Sequence, residues 1–351
     1  MEPDFIPGLE LSRRFYWEIV RPLLDAHFPG IQHSAALIGV GSEVLGFDSL
    51  RSTDHDWGPR VMLFLPKTKY SSHSKVLGDV LQKELPASFL GYHIIPNSKT
   101  RESTGFEIHT IRGYLLNYLD FDIHNDLEPA DWLTIPEQKL LSFTKGAVHW
   151  DGAGLEKMRQ KFKYYPQDVW LYLLAAAWNR IGQEEHLMGR AGQVGDEIGS
   201  TLIAAHLVRD LMRLWFLMER QYAPYAKWFG TAFSRLEGSR VILPVVQEVL
   251  ASSNWEERQE HLAEAYEISA VKHNALKITE HLSEKRSYFF DRPFLVIDGK
   301  RFADATTAQI ADPRLRKLAE RRLIGSIDQF SDNTDLLSDP LWRKTLRKLY
   351  K

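Results

Sequence analysis

Gly41-Ser42, Asp54, Asp56 and Glu107 are the residues whose types and spacing suit phosphate chemistry. Gly41 and Ser42 close the apolar run Leu37-Ile38-Gly39-Val40. A glycine there lets main-chain N–H groups come close to a phosphate, and a serine adds a hydroxyl donor. A helix starting after that turn would favour an anion at its N-terminus. Asp54 and Asp56 are two residues apart, so on a strand both carboxylates project from one face. Two like charges side by side are costly unless a cation lies between them. Oxygen-only ligands beside a phosphate cradle suit Mg²⁺, which takes carboxylates together with substrate phosphate oxygens. Chemistry with two ions usually recruits a third carboxylate from a neighbouring strand. Glu107 fills that role as ligand or general base, being of opposite parity to Phe106 and Ile108 in a strand-like segment. Asp120 and Asp122, which follow a helical pattern, are rival candidates.

The elements that must hold these groups follow from hydropathy patterning. Residues 11–26 carry Phe15, Ile19 and Leu23 at helical spacing. Ser34 to Val40 reads as a buried strand, Asp56 to Leu65 as a second strand ended by Pro66, and Lys75 to Leu85 as a helix. Gly91 to Pro96 and Gly105 to Ile111 read as two more strands. Beyond residue 145 the period changes to that of long helices: Gln167 to Glu185, Gly195 to Arg220, Val241 to Ser252 and Trp255 to Glu284. In the last of these, Leu262, Tyr266, Ala270 and Ile278 form one stripe. Phe294 to Ile297 reads as a short strand ending in a turn at Asp298-Gly299. The expected fold is α+β, a small mixed-sheet unit over 1–148 and a mainly helical unit over 149–351, joined near Asp151-Gly152-Ala153-Gly154.

Composition narrows the chemistry. The chain has 351 residues and no cysteine, which excludes thiolate zinc sites, disulfides and a cysteine nucleophile. Lys+Arg is 44 and Asp+Glu is 46, so no basic field advertises a broad nucleic-acid surface. No apolar run approaches the length that spans a bilayer, and no secretory pattern opens the chain. The expectation is a cytoplasmic protein that does not engage a membrane.

The constellation at residues 37–57 resembles the DNA polymerase β-like nucleotidyltransferase superfamily, with an apolar strand, Gly-Ser, a spacer and Asp-x-Asp. His55 departs from that pattern, which usually has an apolar residue between the carboxylates. The remainder resembles the bacterial branch carrying the domain of unknown function DUF4037. The marks are Tyr164-Tyr165-Pro166, Gly189-Arg190, Gly195-Asp196, the stretch from Tyr222 to Phe229, and Gly325 to Phe330. The resemblance implies a nucleotidyltransferase domain joined to a helical domain similar to those of antibiotic nucleotidyltransferases, with the acceptor in the cleft between them.

It also implies a reaction. Asp54, Asp56 and Glu107 would hold two Mg²⁺ ions. An acceptor hydroxyl would attack the α-phosphate of a nucleoside triphosphate, expected to be ATP, and pyrophosphate would leave past Gly41 and Ser42. Arg190, in a Gly-rich stretch read as a loop, and Lys227, among aromatics, are nucleotide-binding candidates, with Arg209 as a further possible phosphate partner. Lys227 reads equally as a stem covering aromatic surface. Asp196 reads as a helix N-cap. A small-molecule acceptor is favoured over a protein or an RNA. Two other classes compete. One is a HEPN-type ribonuclease using Arg180 and His186, whose spacing puts them on different helix faces. The other is a nucleotide sensor that binds without transfer.

Overall fold

The computed structural model describes residues 5–54, 57–94 and 105–351. The chain forms two compact units, 1–126 with 138–163, and 127–137 with 164–351.

The first unit starts with apolar residues three and four apart, Leu11, Phe15 and Leu24 among them, all buried. They produce one helical run: α1 (Gly8–Phe15), a π-helical turn at Tyr16–Val20, and α2 (Arg21–His27). This run packs on a sheet whose central strand, β1 (Ser34–Leu37), is buried at every residue. β1 pairs antiparallel with β2 (Arg60–Phe64). α3 (Lys67–Glu84) follows, then a small hairpin of β3 (Ser88–Phe89) and β4 (Tyr92–His93). β5 (Gly105–His109) lies parallel to β2, placing Glu107 beside Met62. α4 (Ile111–Leu119) begins at Thr110, whose hydroxyl accepts from the Gly113 amide. After α5 (Pro129–Thr134), part of the second unit, the chain returns through α6 (Glu137–Thr144), β6 (Ala147–Asp151) and α7 (Leu155–Lys161). β6 pairs antiparallel with β1, giving the order β5-β2-β1-β6. The position 148/149 therefore falls inside a paired strand, and the first unit runs on to residue 163.

The second unit is helical: α8 (Gln167–Glu184), α9 (Leu187–Gln193), α10 (Glu197–Met218), α11 (Ala226–Ser234), α12 (Ser239–Ala251) and α13 (Trp255–Ala275). A hairpin of β7 (Ser287–Phe289) and β8 (Arg292–Val296) precedes α14 (Gly299–Thr307), α15 (Pro313–Arg321) and α16 (Ile327–Phe330). α8 is apolar nearly all round and is buried from Val169 to Trp178. Trp178 stacks on Phe302 of α14 at 4.4 Å and donates its indole N–H to His273 of α13 at 3.1 Å. The architecture is α+β with a mainly helical C-terminal part, as the patterning implies.

Several elements differ from the sequence reading. α13 stops at Ala275 because Lys277 turns left-handed (φ 55°) and the Asn274 amide ties down the chain at Leu282, so Ile278 lies outside the stripe. Asp298, also left-handed (φ 57°), caps the start of α14, so the expected turn at Asp298-Gly299 leads directly into a helix. The stretch from Gly91 yields only the two-residue β4 among the described residues. No described helix is long and apolar enough to cross a membrane.

Candidate functional site

Gly41 lies past the end of β1, in a loop shaped by what packs beneath it. Its φ is +137°, and a Cβ there would lie 2.5 Å from both the Arg60 guanidinium and the Glu43 carboxylate. Only glycine fits that backbone over that ion pair. Arg60, at the start of β2, donates to the Val40 carbonyl at 2.6 Å and pairs with Glu43. Glu43 is 2% exposed, and burial pushes its carboxyl above the usual carboxylate range against the pull of Arg60. The loop is tied at two further points. The Gly39 amide donates to the Ser142 carbonyl at 2.9 Å. Asp48 accepts from the Gly8 amide at 2.7 Å and from the Trp57 indole at 3.1 Å.

No helix follows Ser42. Residues 42–46 form turns closed by Phe47 donating to the Ser42 carbonyl and Gly46 to that of Glu43. The helix-N-terminus part of the expected phosphate cradle is therefore missing. The loop amides and the half-buried Ser42 hydroxyl are what it offers an anion.

Asp54 is the last residue of a 3₁₀ turn, Leu50–Asp54, and is not on a strand. The local hydroxyls favour that turn: Thr53 donates to the Leu50 carbonyl at 2.8 Å, and Ser52 accepts from the Ser49 amide at 3.1 Å. Asp56 lies outside the described residues, and β2 begins only at Arg60. The strand geometry inferred for the Asp-x-Asp pair thus does not hold at Asp54.

Glu107 is exposed on β5, with the His109 ring 2.7 Å from its carboxylate on the same strand face. That hydrogen bond holds its carboxyl below the usual carboxylate range, so it is ionised at neutral pH. Glu107 borders a cavity of about 210 Å³. Ile38 and Val40 approach it from the end of β1, Arg60 and Met62 from β2, and Tyr114 and Tyr118 from α4. Val40, Arg60 and Glu107 therefore meet at one opening, which Gly41 and Ser42 do not themselves line. The rivals are placed differently. Asp120 is the left-handed cap of α4, and Asp122 is held by both arms of Arg112 at 2.5 and 2.8 Å.

Sequence reasoning gave Arg60, Glu43, Tyr114 and His109 no role in the site. A basic residue opening an apolar strand was a signal for Arg60. The pairing across 17 residues with Glu43 has no periodic mark.

The remaining candidates belong to the second unit. Arg190 is exposed on α9, so its Gly-rich stretch is helix as far as Gln193 and turns only at Val194 and Gly195. Lys227 is exposed on α11, its ammonium 5.0 Å from the Trp228 ring. Arg209 pairs with Asp332 at 2.7 Å. Asp196 caps α10 by accepting from the Gly199 amide at 2.7 Å. Arg180 is engaged by Asp210 and His206, while His186 lies beyond the end of α8 and stacks on Phe289 at 4.1 Å.

Residues 132–229 match the model of a family described as a domain of unknown function (DUF4037). That segment includes Arg190 and Lys227 and none of Gly41, Ser42, Asp54, Asp56 or Glu107. No curated protein matches the chain.

Proposed function

We propose that the chain is a nucleotidyltransferase, moving a nucleoside monophosphate from a triphosphate, ATP first among them, to an acceptor hydroxyl with release of pyrophosphate. One juxtaposition supports this best: the ionised Glu107 on β5, Arg60 on β2 and Val40, the residue before Gly41, line a single cavity. Oxygen donors of that kind fit Mg²⁺ by their chemistry. Asp54, Asp56 and Glu107 would hold the ions, which when bound supply charge neutralisation on the triphosphate and lower the pKa of the acceptor hydroxyl.

The chain's own groups have separate tasks. The Gly41 loop amides and the Ser42 hydroxyl hydrogen-bond the leaving phosphates. Arg60 and Glu43 keep the loop in its binding shape by holding Val40 from below. His109 orients the Glu107 carboxylate. The proposed acceptor is a small molecule, since a chain with 44 basic and 46 acidic residues has no global charge suited to a large RNA.

The test is incubation with Mg²⁺, each α-labelled nucleoside triphosphate and a cell extract. Labelling of a small molecule, lost in Asp54→Asn, Asp56→Asn and Glu107→Gln, is the expected result. Label on protein or RNA would overturn the choice of acceptor. Nucleotide-dependent thermal stabilisation without pyrophosphate release would overturn transfer in favour of sensing.

A further inference from the structure

The second unit holds a cavity of about 620 Å³, within the range of small-molecule sites. Its floor is the line along which α8 and α14 run side by side. Gly182 and Gly299 bring the two backbones into contact: an added Cβ would lie 2.7 Å from the Lys300 nitrogen in one case and 2.6 Å from the Trp178 carbonyl in the other. One flank of that contact is the buried Trp178–Phe302 stack. The opposite flank is polar, with Asn179 and Gln183 from α8 and Thr307 from α14 facing the cavity. Leu323, Ile324 and Phe330 supply an apolar wall, the last two 37% and 38% exposed.

The charged groups sort into engaged and open ones. Lys300 pairs with Asp304 at 2.5 Å. Arg180 donates to Asp210 at 2.7 Å and to the Gln329 carbonyl at 3.3 Å. Glu320 and Arg322 also line the cavity, and neither side chain has an ionic or hydrogen-bond partner among the described residues. The Thr307 hydroxyl oxygen is buried with no partner, an arrangement native proteins rarely leave unfilled. The Asn179 amide likewise has no partner among the described residues.

One open carboxylate, one open guanidinium, uncharged hydrogen-bonding groups and an apolar wall thus share one cavity. A simple anion would face Glu320, and a simple cation would face Arg322. A molecule carrying both charges satisfies each, because the arginine fork matches a carboxylate and Glu320 accepts from an ammonium. We propose that this cavity binds a small zwitterion with an apolar side chain, an amino acid or a dipeptide. The proposal does not depend on the transferase reading.

The experiment is calorimetric titration of the full chain with L-phenylalanine and L-leucine, beside the half-ligands 3-phenylpropionate and phenethylamine. The expected result is saturable binding of at least one amino acid, with each half-ligand ~10-fold weaker or worse. Arg322→Gln and Glu320→Gln, both surface changes, should each weaken binding by a similar ~10-fold factor. Thr307→Val should weaken it too, while Glu107→Gln should leave it unchanged. No saturable binding of either amino acid at millimolar concentration would overturn the proposal. So would half-ligands that bind equally well, or affinity unmoved in both charge variants.

Discussion

Glu43 is a carboxylate at 2% exposure, and what makes its burial tolerable is Arg60. Removing one partner of a buried pair leaves an uncompensated charge, at a cost of roughly 3–5 kcal/mol. Arg60→Met should lower stability by about that amount in urea unfolding, and should also release the Val40 carbonyl that shapes the Gly41 loop. An unchanged midpoint would contradict the bracing role. His273 is a second residue-scale case. It is 0% exposed, and burial pushes its imidazole down to about 4. Its folded pKa lies below the unfolded value, so its contribution to stability is present above about 6.5 and is lost as pH falls through about 4. Proton NMR should find the ring neutral at pH 5.5, and a ring already protonated there would contradict this. At this scale the sequence exposed residues whose chemistry announces itself: Gly41 after an apolar run, Glu107 out of parity in a strand. It did not expose Arg60 or Glu43, because a pair 17 residues apart across a turn leaves no spacing pattern.

Elements were legible where one period runs long. α8 and α10 sit within a few residues of their hydrophobic patterns. The ends were less legible, because a left-handed Lys277 or Asp298 is set by local hydrogen bonds rather than by hydropathy. The Asp-x-Asp segment shows the same limit: the Ser52 and Thr53 hydroxyls bond the backbone of Ser49 and Leu50, and a 3₁₀ turn forms where strand was expected. Helix crossings give a direct check on packing. Gly182→Ala would drive a methyl against the Lys300 backbone, and overpacking of this kind costs about 1–3 kcal/mol. Gly230→Ala on α11, with open space around it, should instead be neutral or stabilising by up to ~1 kcal/mol. Equal effects of the two changes in thermal unfolding would refute the close crossing of α8 and α14.

At the scale of the whole molecule the chain makes two units, and the first is not a simple N-terminal segment, since it takes back residues 138–163 after 127–137 have joined the second. The physical reason is β6, which completes the sheet beside β1, so a boundary at 148/149 would cut a paired strand. A chain of residues 1–148 should therefore lose its sheet edge and aggregate, whereas 1–163 should keep strand signal by circular dichroism and stay in solution. Equal behaviour of the two would contradict the pairing. Hydropathy marked the change from mixed to helical texture near residue 145 but not this return, because β6 is short and only half buried.

Phosphate and metal chemistry in the first unit is the claim on which the functional account rests. Its most direct measurement is release of pyrophosphate from α-labelled ATP by the full chain with Mg²⁺ and extract, beside Glu107→Gln and Asp54→Asn. The account predicts Mg²⁺-dependent pyrophosphate release with label on a small molecule, reduced by at least ~100-fold in either variant. Release that survives undiminished in both variants, or no release with any triphosphate, would contradict it.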